Sequence, residues 1–220
     1  MFHMLMGNMR CGVDEAGRGS VLGPLVVGAV YSDSDDELVK MGVKDSKKLS
    51  PSTREHLFEL IGKKYEVEIV IISASDIDRR RKEMSLNDIE LDMFIEACSK
   101  YPVSAVYADC PDVNETGFST EMSKKMGGPE IIARHKADDI FPIVSAASII
   151  AKVTRDRMIT DIKRELGMNI GSGYPSDHFT MEFIEKWIKD NGCAPPYTRC
   201  SWEPVRNLMT LSKNTKISDW

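Results

Sequence analysis

With 220 residues, 42% hydrophobic and 29% charged, the chain has the balance of an ordinary globular domain, which excludes a disordered or fibrous protein. Its 34 acidic and 29 basic residues leave a net charge of −5, so no global field draws it to nucleic acid and a nucleic-acid enzyme would have to gather its bases locally. No apolar run approaches the ~18 residues of a membrane span, and five cysteines (11, 98, 110, 193 and 200) with no Cys-x-x-Cys pair argue against a disulfide framework or structural zinc.

Met9 to Val13 predicts a first strand that ends at Asp14 and Glu15. A Gly-rich turn follows, Ala16 to Ser20, and then a nearly continuous apolar run from Pro24 to Tyr31, the pattern of a buried central strand. So short a turn implies an antiparallel pair. After a polar loop from Asp33 and a basic loop at Lys44 to Leu49, Ser50-Pro51 places a cap and a first-turn proline before a helix with Leu57, Leu60 and Ile61 on its apolar face. Glu66 to Ser73 reads as a third strand and Leu86 to Tyr101 as a helix. Val103 to Ala108 forms a fourth strand ending at Asp109, 115–126 a helix, and Glu130 to Lys136 a fifth strand ending near Asp138 and Asp139. Ile143 to Leu166 is the clearest helix, with Ser145, Ser148, Lys152 and Arg155 aligned along the side opposite its apolar face. Helices over 176–191 and 203–213 complete the order. A hairpin followed by β-α-β units predicts one mixed sheet covered by helices. The expected division is a catalytic domain over 1–200 and a C-terminal helical extension and tail over 201–220. Met1 to Met6 lacks the basic region and long apolar core of a secretory signal, so a cytoplasmic, reducing location is expected. Nothing in the chain demands an oligomer, and a monomer is expected.

Asp14, Glu15, Asp109 and Asp138 all fall at strand ends. Neighbouring strands lie ~4.8 Å apart, so such carboxylates can converge. Converged acids retain protons or hold a cation, and carboxylates without His or Cys favour Mg²⁺ or Mn²⁺ over Zn²⁺. Spacing alone leaves the plainer reading open, that these are loop acids in water.

Six ordered blocks carry a resemblance: Val13-Asp-Glu-Ala-Gly-Arg-Gly19, Asp45-Ser-Lys-Lys-Leu49, Tyr107-Ala-Asp109, His135-Lys-Ala-Asp138, Ser145 through Asp156, and Gly171-Ser-Gly-Tyr-Pro-Ser-Asp177. They resemble the type 2 ribonucleases H, the ribonuclease HII family, in wording closest to its archaeal members. The resemblance implies a ribonuclease H-like α/β fold, with a five-stranded mixed sheet flanked by helices. It implies endonucleolytic hydrolysis of the RNA strand in RNA–DNA hybrids and at single ribonucleotides embedded in duplex DNA, leaving 5′-phosphate and 3′-hydroxyl ends. The catalytic and metal-binding acids would be Asp14, Glu15, Asp109 and Asp138, with Asp14 bridging two ions, Mg²⁺ or Mn²⁺, ~4 Å apart. Asp138 is preferred to Asp139 because it directly follows Lys136-Ala137.

Substrate contacts are expected from Gly17, Arg18 and Gly19, whose backbone can approach a sugar and its 2′-hydroxyl. Tyr174 is expected to place its ring and hydroxyl on the same sugar. Ser46 and Lys47, and Ser145, Ser148 and Lys152, would hold backbone phosphates without reading sequence. Two other readings remain: a different nuclease or phosphotransferase on this fold, or a nucleic-acid-binding domain without catalysis. Archaeal relatives commonly end in a sliding-clamp motif, and this tail places Asn214, Ile217 and Trp220 at its Gln, aliphatic and first aromatic positions. The second aromatic of that motif is missing, and two readings of this polar, helix-poor stretch stand: clamp binding through Ile217 and Trp220, or a frayed end whose Trp packs back on the domain.

Overall fold

The computed structural model describes residues 9–43 and 49–217. Ser46, Lys47 and Trp220 lie outside the described residues, so the phosphate-holding role of the first two and the terminal aromatic anchor have no structural account.

Among the described residues five strands form one sheet: β1 (Arg10–Ala16), β2 (Leu25–Ser32), β3 (Glu66–Ile72), β4 (Ala105–Asp109) and β5 (Glu130–Arg134), in the order β3-β2-β1-β4-β5. β1 pairs antiparallel with β2, from Arg10 opposite Ser32 to Ala16 opposite Val26, while β1–β4 and β4–β5 are parallel. The sheet is mixed, as expected. All eight residues of β2 are buried, in keeping with its continuous apolar run, whereas edge strand β3 leaves Glu66 and Ile71 exposed.

The helices are α1 (Asp36–Met41), α2 (Pro51–Lys64), α3 (Ala74–Arg80), α4 (Leu86–Cys98), α5 (Glu115–Met126), α6 (Ala137–Ile140), α7 (Pro142–Leu166), α8 (His178–Asn191) and α9 (Glu203–Ile217). The expected cap of α2 is present: the Ser50 hydroxyl accepts from the Thr53 N–H at 3.1 Å, with Pro51 at the first helical position. Four differences from the sequence reading matter. Asp14 and Glu15 lie inside β1, not beyond it, because the pairing with β2 continues to Ala16. Asp138 lies in α6, a four-residue helix too short to carry a periodic pattern. α9 continues to Ile217, four residues past the expected end and into the stretch read as helix-poor. The polar stripe of α7, set opposite its apolar face, is itself covered in part: Ser145 and Arg155 are buried, Ser148 and Lys152 half-buried.

The chain divides into two compact units. The first comprises the segment ending at Ala16, Val26–Val70 and Leu86–Thr154; the second comprises Gly17–Leu25, Ile71–Ser85 and the chain from Arg155. In the first, Leu57 and Ile61 of α2 pack with Ile143, Ala146, Ala147 and Ile150 of α7 around Val30 of β2. In the second, Val21 and Leu22 pack with Ile159, Ile162, Phe183, Ile184 and Val205.

Candidate active site

The parallel ladder of β1 and β4 runs from Arg10 opposite Ala105 to Val13 opposite Ala108. The next residues along the two strands are Asp14 and Asp109, so adjacent strand ends bring these acids side by side. Asp14 is 4% exposed, and its Oδ1 accepts the Glu15 N–H at 2.7 Å. The Ser148 hydroxyl, on α7, also hydrogen-bonds to it. Burial raises the Asp14 pKa well above the ordinary carboxylate value, and the charges of Glu15 and Asp109 raise it further, outweighing those hydrogen bonds.

Asp109 links this pair to the fourth acid. Its Oδ1 accepts the Ala137 N–H at 2.9 Å, which ties the end of β4 to the start of α6. Lys136, just before α6, has φ 55°, the left-handed conformation, and reverses the chain so that Asp138 falls in the first turn of α6. Asp138 is 2% exposed while Asp139 is exposed, and the Ser145 hydroxyl donates to the Asp138 carbonyl. Ser145 and Ser148 thus brace the acids from α7. Ser145 is fully buried, away from any duplex phosphate, whereas Ser148 and Lys152, expected beside it, are each half-buried. His135 is exposed, its N–H donating to the Glu115 carboxylate at 2.6 Å.

Carboxylates at the ends of β1 and β4 and the start of α6, with Asp14 and Asp138 buried, fit a hard divalent cation by their donor chemistry. Among the described residues, no three His, Cys, Asp or Glu side chains stand close enough together to form a ready ligand set. Glu15 and Asp109 act electrostatically on Asp14, and the acids stop short of a closed metal cage.

Gly17, Arg18, Gly19 and Tyr174 belong to the second unit, which holds them through two loops. Gly17 has φ 95°, and a Cβ there would lie 2.6 Å from both Arg155 Nε and the Pro24 carbonyl oxygen, so the turn requires glycine. At Gly19 a Cβ would meet nothing within 4 Å, and the fold itself leaves room for a side chain. The Val21 and Leu22 N–H groups both donate to the Gly173 carbonyl, at 2.8 and 3.1 Å, joining the loop after Gly19 to the one that carries Tyr174. Two buried arginines complete the assembly. Arg199 donates from Nε to the Gly23 carbonyl at 3.2 Å and from Nη1 to the Arg18 carbonyl at 2.9 Å. Burial and the charge of Arg155 push the Arg199 pKa down to about 9, and the guanidinium remains charged at neutral pH. Arg155, aligned by spacing on the side of α7 opposite its apolar face, lies over the Tyr174 ring, 4.5 Å from its centroid. The sequence offered no sign of this, because helical spacing does not reveal which polar residues are covered.

The chain matches the description Ribonuclease HII over residues 11–205. A ribonuclease HII of Methanospirillum hungatei is 45% identical over 96% of this chain and 100% of its own length. Among solved structures, the ribonuclease H2 of Pyrococcus horikoshii matches with a TM-score of 0.87 at 39% identity, covering 93% of this chain and 99% of that one. The ribonuclease HII of Archaeoglobus fulgidus, solved in complex with PCNA, matches with a TM-score of 0.85 at 42% identity, covering 90% of this chain and 96% of that one. Agreement in sequence and in fold over nearly the whole of both partners shows that the chain belongs to the ribonuclease HII family, hydrolases of the RNA strand in RNA–DNA hybrids.

Proposed function

We propose that this ribonuclease also cuts at single ribonucleotides embedded in duplex DNA, by two-metal-ion hydrolysis that leaves 5′-phosphate and 3′-hydroxyl ends. The observation that carries the hydrolytic part is the buried Asp14 carboxylate, whose ionisation is opposed by Glu15 and Asp109. A site built to disfavour its own negative charge is a site that gains from cations. Asp14, Glu15, Asp109 and Asp138 would hold them. Bound Mg²⁺ or Mn²⁺ would supply a water poised for attack and neutralise the leaving 3′ oxygen. Ser148 orients Asp14, and Ser145 fixes the backbone that presents Asp138.

Recognition falls to the second unit. The backbone of Gly17 to Gly19 and the hydroxyl of Tyr174 would meet the ribose 2′-hydroxyl, which marks the cleavage site and is not the nucleophile. That the fold does not need glycine at position 19 supports this, since an approaching sugar would. Arg18, Lys152 and the Ser46–Lys47 loop would take phosphates. In this functional sense residues 1–200 act as the catalytic domain and 201–220 as its extension. With Mg²⁺ or Mn²⁺, a duplex carrying one ribonucleotide should be cut and an all-DNA duplex should not. Equal cutting of both would indicate a general nuclease, and cutting of neither a binding domain, and either would overturn the reading.

We also propose that Ile217 and Trp220 dock a sliding clamp and contribute nothing to hydrolysis. The PCNA complex of the Archaeoglobus fulgidus relative supports it. Because α9 runs to Ile217, a chain cut at Ser212 would lose part of a helix, so substitution is the cleaner test. Ile217→Ala with Trp220→Ala should weaken binding to the cognate clamp at least about tenfold while leaving cleavage unchanged. Equal clamp affinity of variant and parent would eliminate the tail as a docking peptide.

A further inference from the structure

Arg155 is 1% exposed, an unusual position for a guanidinium. One face lies over the Tyr174 ring at 4.5 Å, and Nη2 donates to the Ser172 carbonyl at 3.1 Å. Nε has no hydrogen-bond partner among the described residues, and it faces Gly17, where a Cβ would fall 2.6 Å away. Gly173 is equally tight, its Cβ position 2.9 Å from Nη2. The carboxylate of Asp156 is 3.9 Å from Nη1, a long separation, and about half open to solvent, so it compensates the buried charge only weakly. One planar cation therefore touches the turn at Gly17, the Gly173 backbone and the tyrosine ring together, and stabilises none of them by a full set of hydrogen bonds. Burying a charge at this cost is understandable where its plane sets the geometry of others.

We infer that Arg155 is a positioning residue for ribose discrimination, fixing the Tyr174 ring relative to the Gly17 turn. The inference rests on the reading of Tyr174 as the ribose sensor. Lysine keeps the charge but has no plane to stack while donating to Ser172, so Arg155→Lys is not a conservative change.

Steady-state cleavage of a single-ribonucleotide duplex by the parent, Arg155→Lys, Tyr174→Ala and the double variant tests it. Arg155→Lys should lower kcat between about threefold and thirtyfold, the range of a cation–π contact from exposed to desolvated. KM for the duplex should stay near that of the parent, since phosphate contacts are untouched. In the Tyr174→Ala background the same change should add little, because the ring through which it acts is gone. Losses that multiply in the double variant, or a fall confined to KM, would make Arg155 a packing residue and overturn the inference. An unaffected Tyr174→Ala would instead overturn the sensor reading itself. Should Arg155→Lys fail to show a cooperative melt, Arg155→Gln, a flat neutral donor, takes its place with the same expectations. If neither folds, the side chain is a structural requirement and the positioning role is rejected.

Discussion

Asp14→Asn is expected to lower cleavage in saturating Mg²⁺ at least about 10³-fold while raising the melting temperature of the metal-free protein. The amide is nearly isosteric with the carboxylate and can keep the Ser148 and Glu15 contacts in altered form, but it cannot hold a cation by charge. The stability gain follows from linkage. The folded state holds the Asp14 proton more tightly than the unfolded chain does, because burial, Glu15 and Asp109 raise its pKa. Stability is therefore fully present below the unfolded value near 3.8 and is lost as pH rises from there toward the folded pKa. At neutral pH the parent bears this cost and the Asn variant does not. A gain of about 1 kcal/mol would appear as roughly 2–4 °C in a chain of this size, and it should shrink as the pH of the melt approaches 3.8. Calorimetry at pH 7 and pH 4 without metal, beside a cleavage assay, measures both. Retention of more than a few per cent of activity would remove Asp14 from the ligand set. A melting temperature below that of the parent would mean that its hydrogen bonds outweigh its charge.

Gly12→Ala should destabilise the protein by about 3 kcal/mol or more, roughly 6–12 °C in melting temperature. The alanine Cβ would lie 2.4 Å from the Ile143 carbonyl oxygen and 2.5 Å from its carbon, both backbone atoms of the first turn of α7. Neither can rotate away, so β1 or α7 must shift. Gly12 is also two residues before Asp14, and cleavage should fall even at temperatures where the variant is folded. Gly62→Ala is the matching control. It lies in α2 with nothing within 4 Å of its Cβ position, and removing helix glycine should add up to about 1 kcal/mol. A melting temperature for Gly12→Ala within about 2 °C of the parent would show that the sheet and α7 yield more easily than their close approach implies.

Much of the architecture was legible because it follows from local rules. The apolar run of β2 matched an interior strand, Ser50-Pro51 a helix start, and the short turn between β1 and β2 an antiparallel pair. The ordered motifs also proposed four candidate acids, since residue types are written directly in the chain. The short helices were not legible. α1, α3 and α6, of six, seven and four residues, are shorter than the two turns over which an apolar face repeats. For α1 and α3 little is lost, but α6 decides where Asp138 sits, and it depends on a left-handed Lys136 that no residue preference announces.

The same limit governs α7. Its spacing correctly placed Ile143, Ala146, Ala147 and Ile150 in a core, and it aligned Ser145, Ser148 and Arg155 on another side. Periodicity reports which residues share a face, not what covers that face. Ser145 could be buried because the Asp138 carbonyl accepts its proton, and Arg155 because the Tyr174 ring and the Ser172 carbonyl take its charge and one donor. Those partners are 7, 19 and 17 residues away in the chain, and only folding brings them into place. The sequence by itself determined the longer elements and the family and nominated four acids as candidates, all of which rest on local pattern. Tertiary structure decided which polar side chains leave water, because burial of a polar group depends on whether a distant partner arrives to satisfy it.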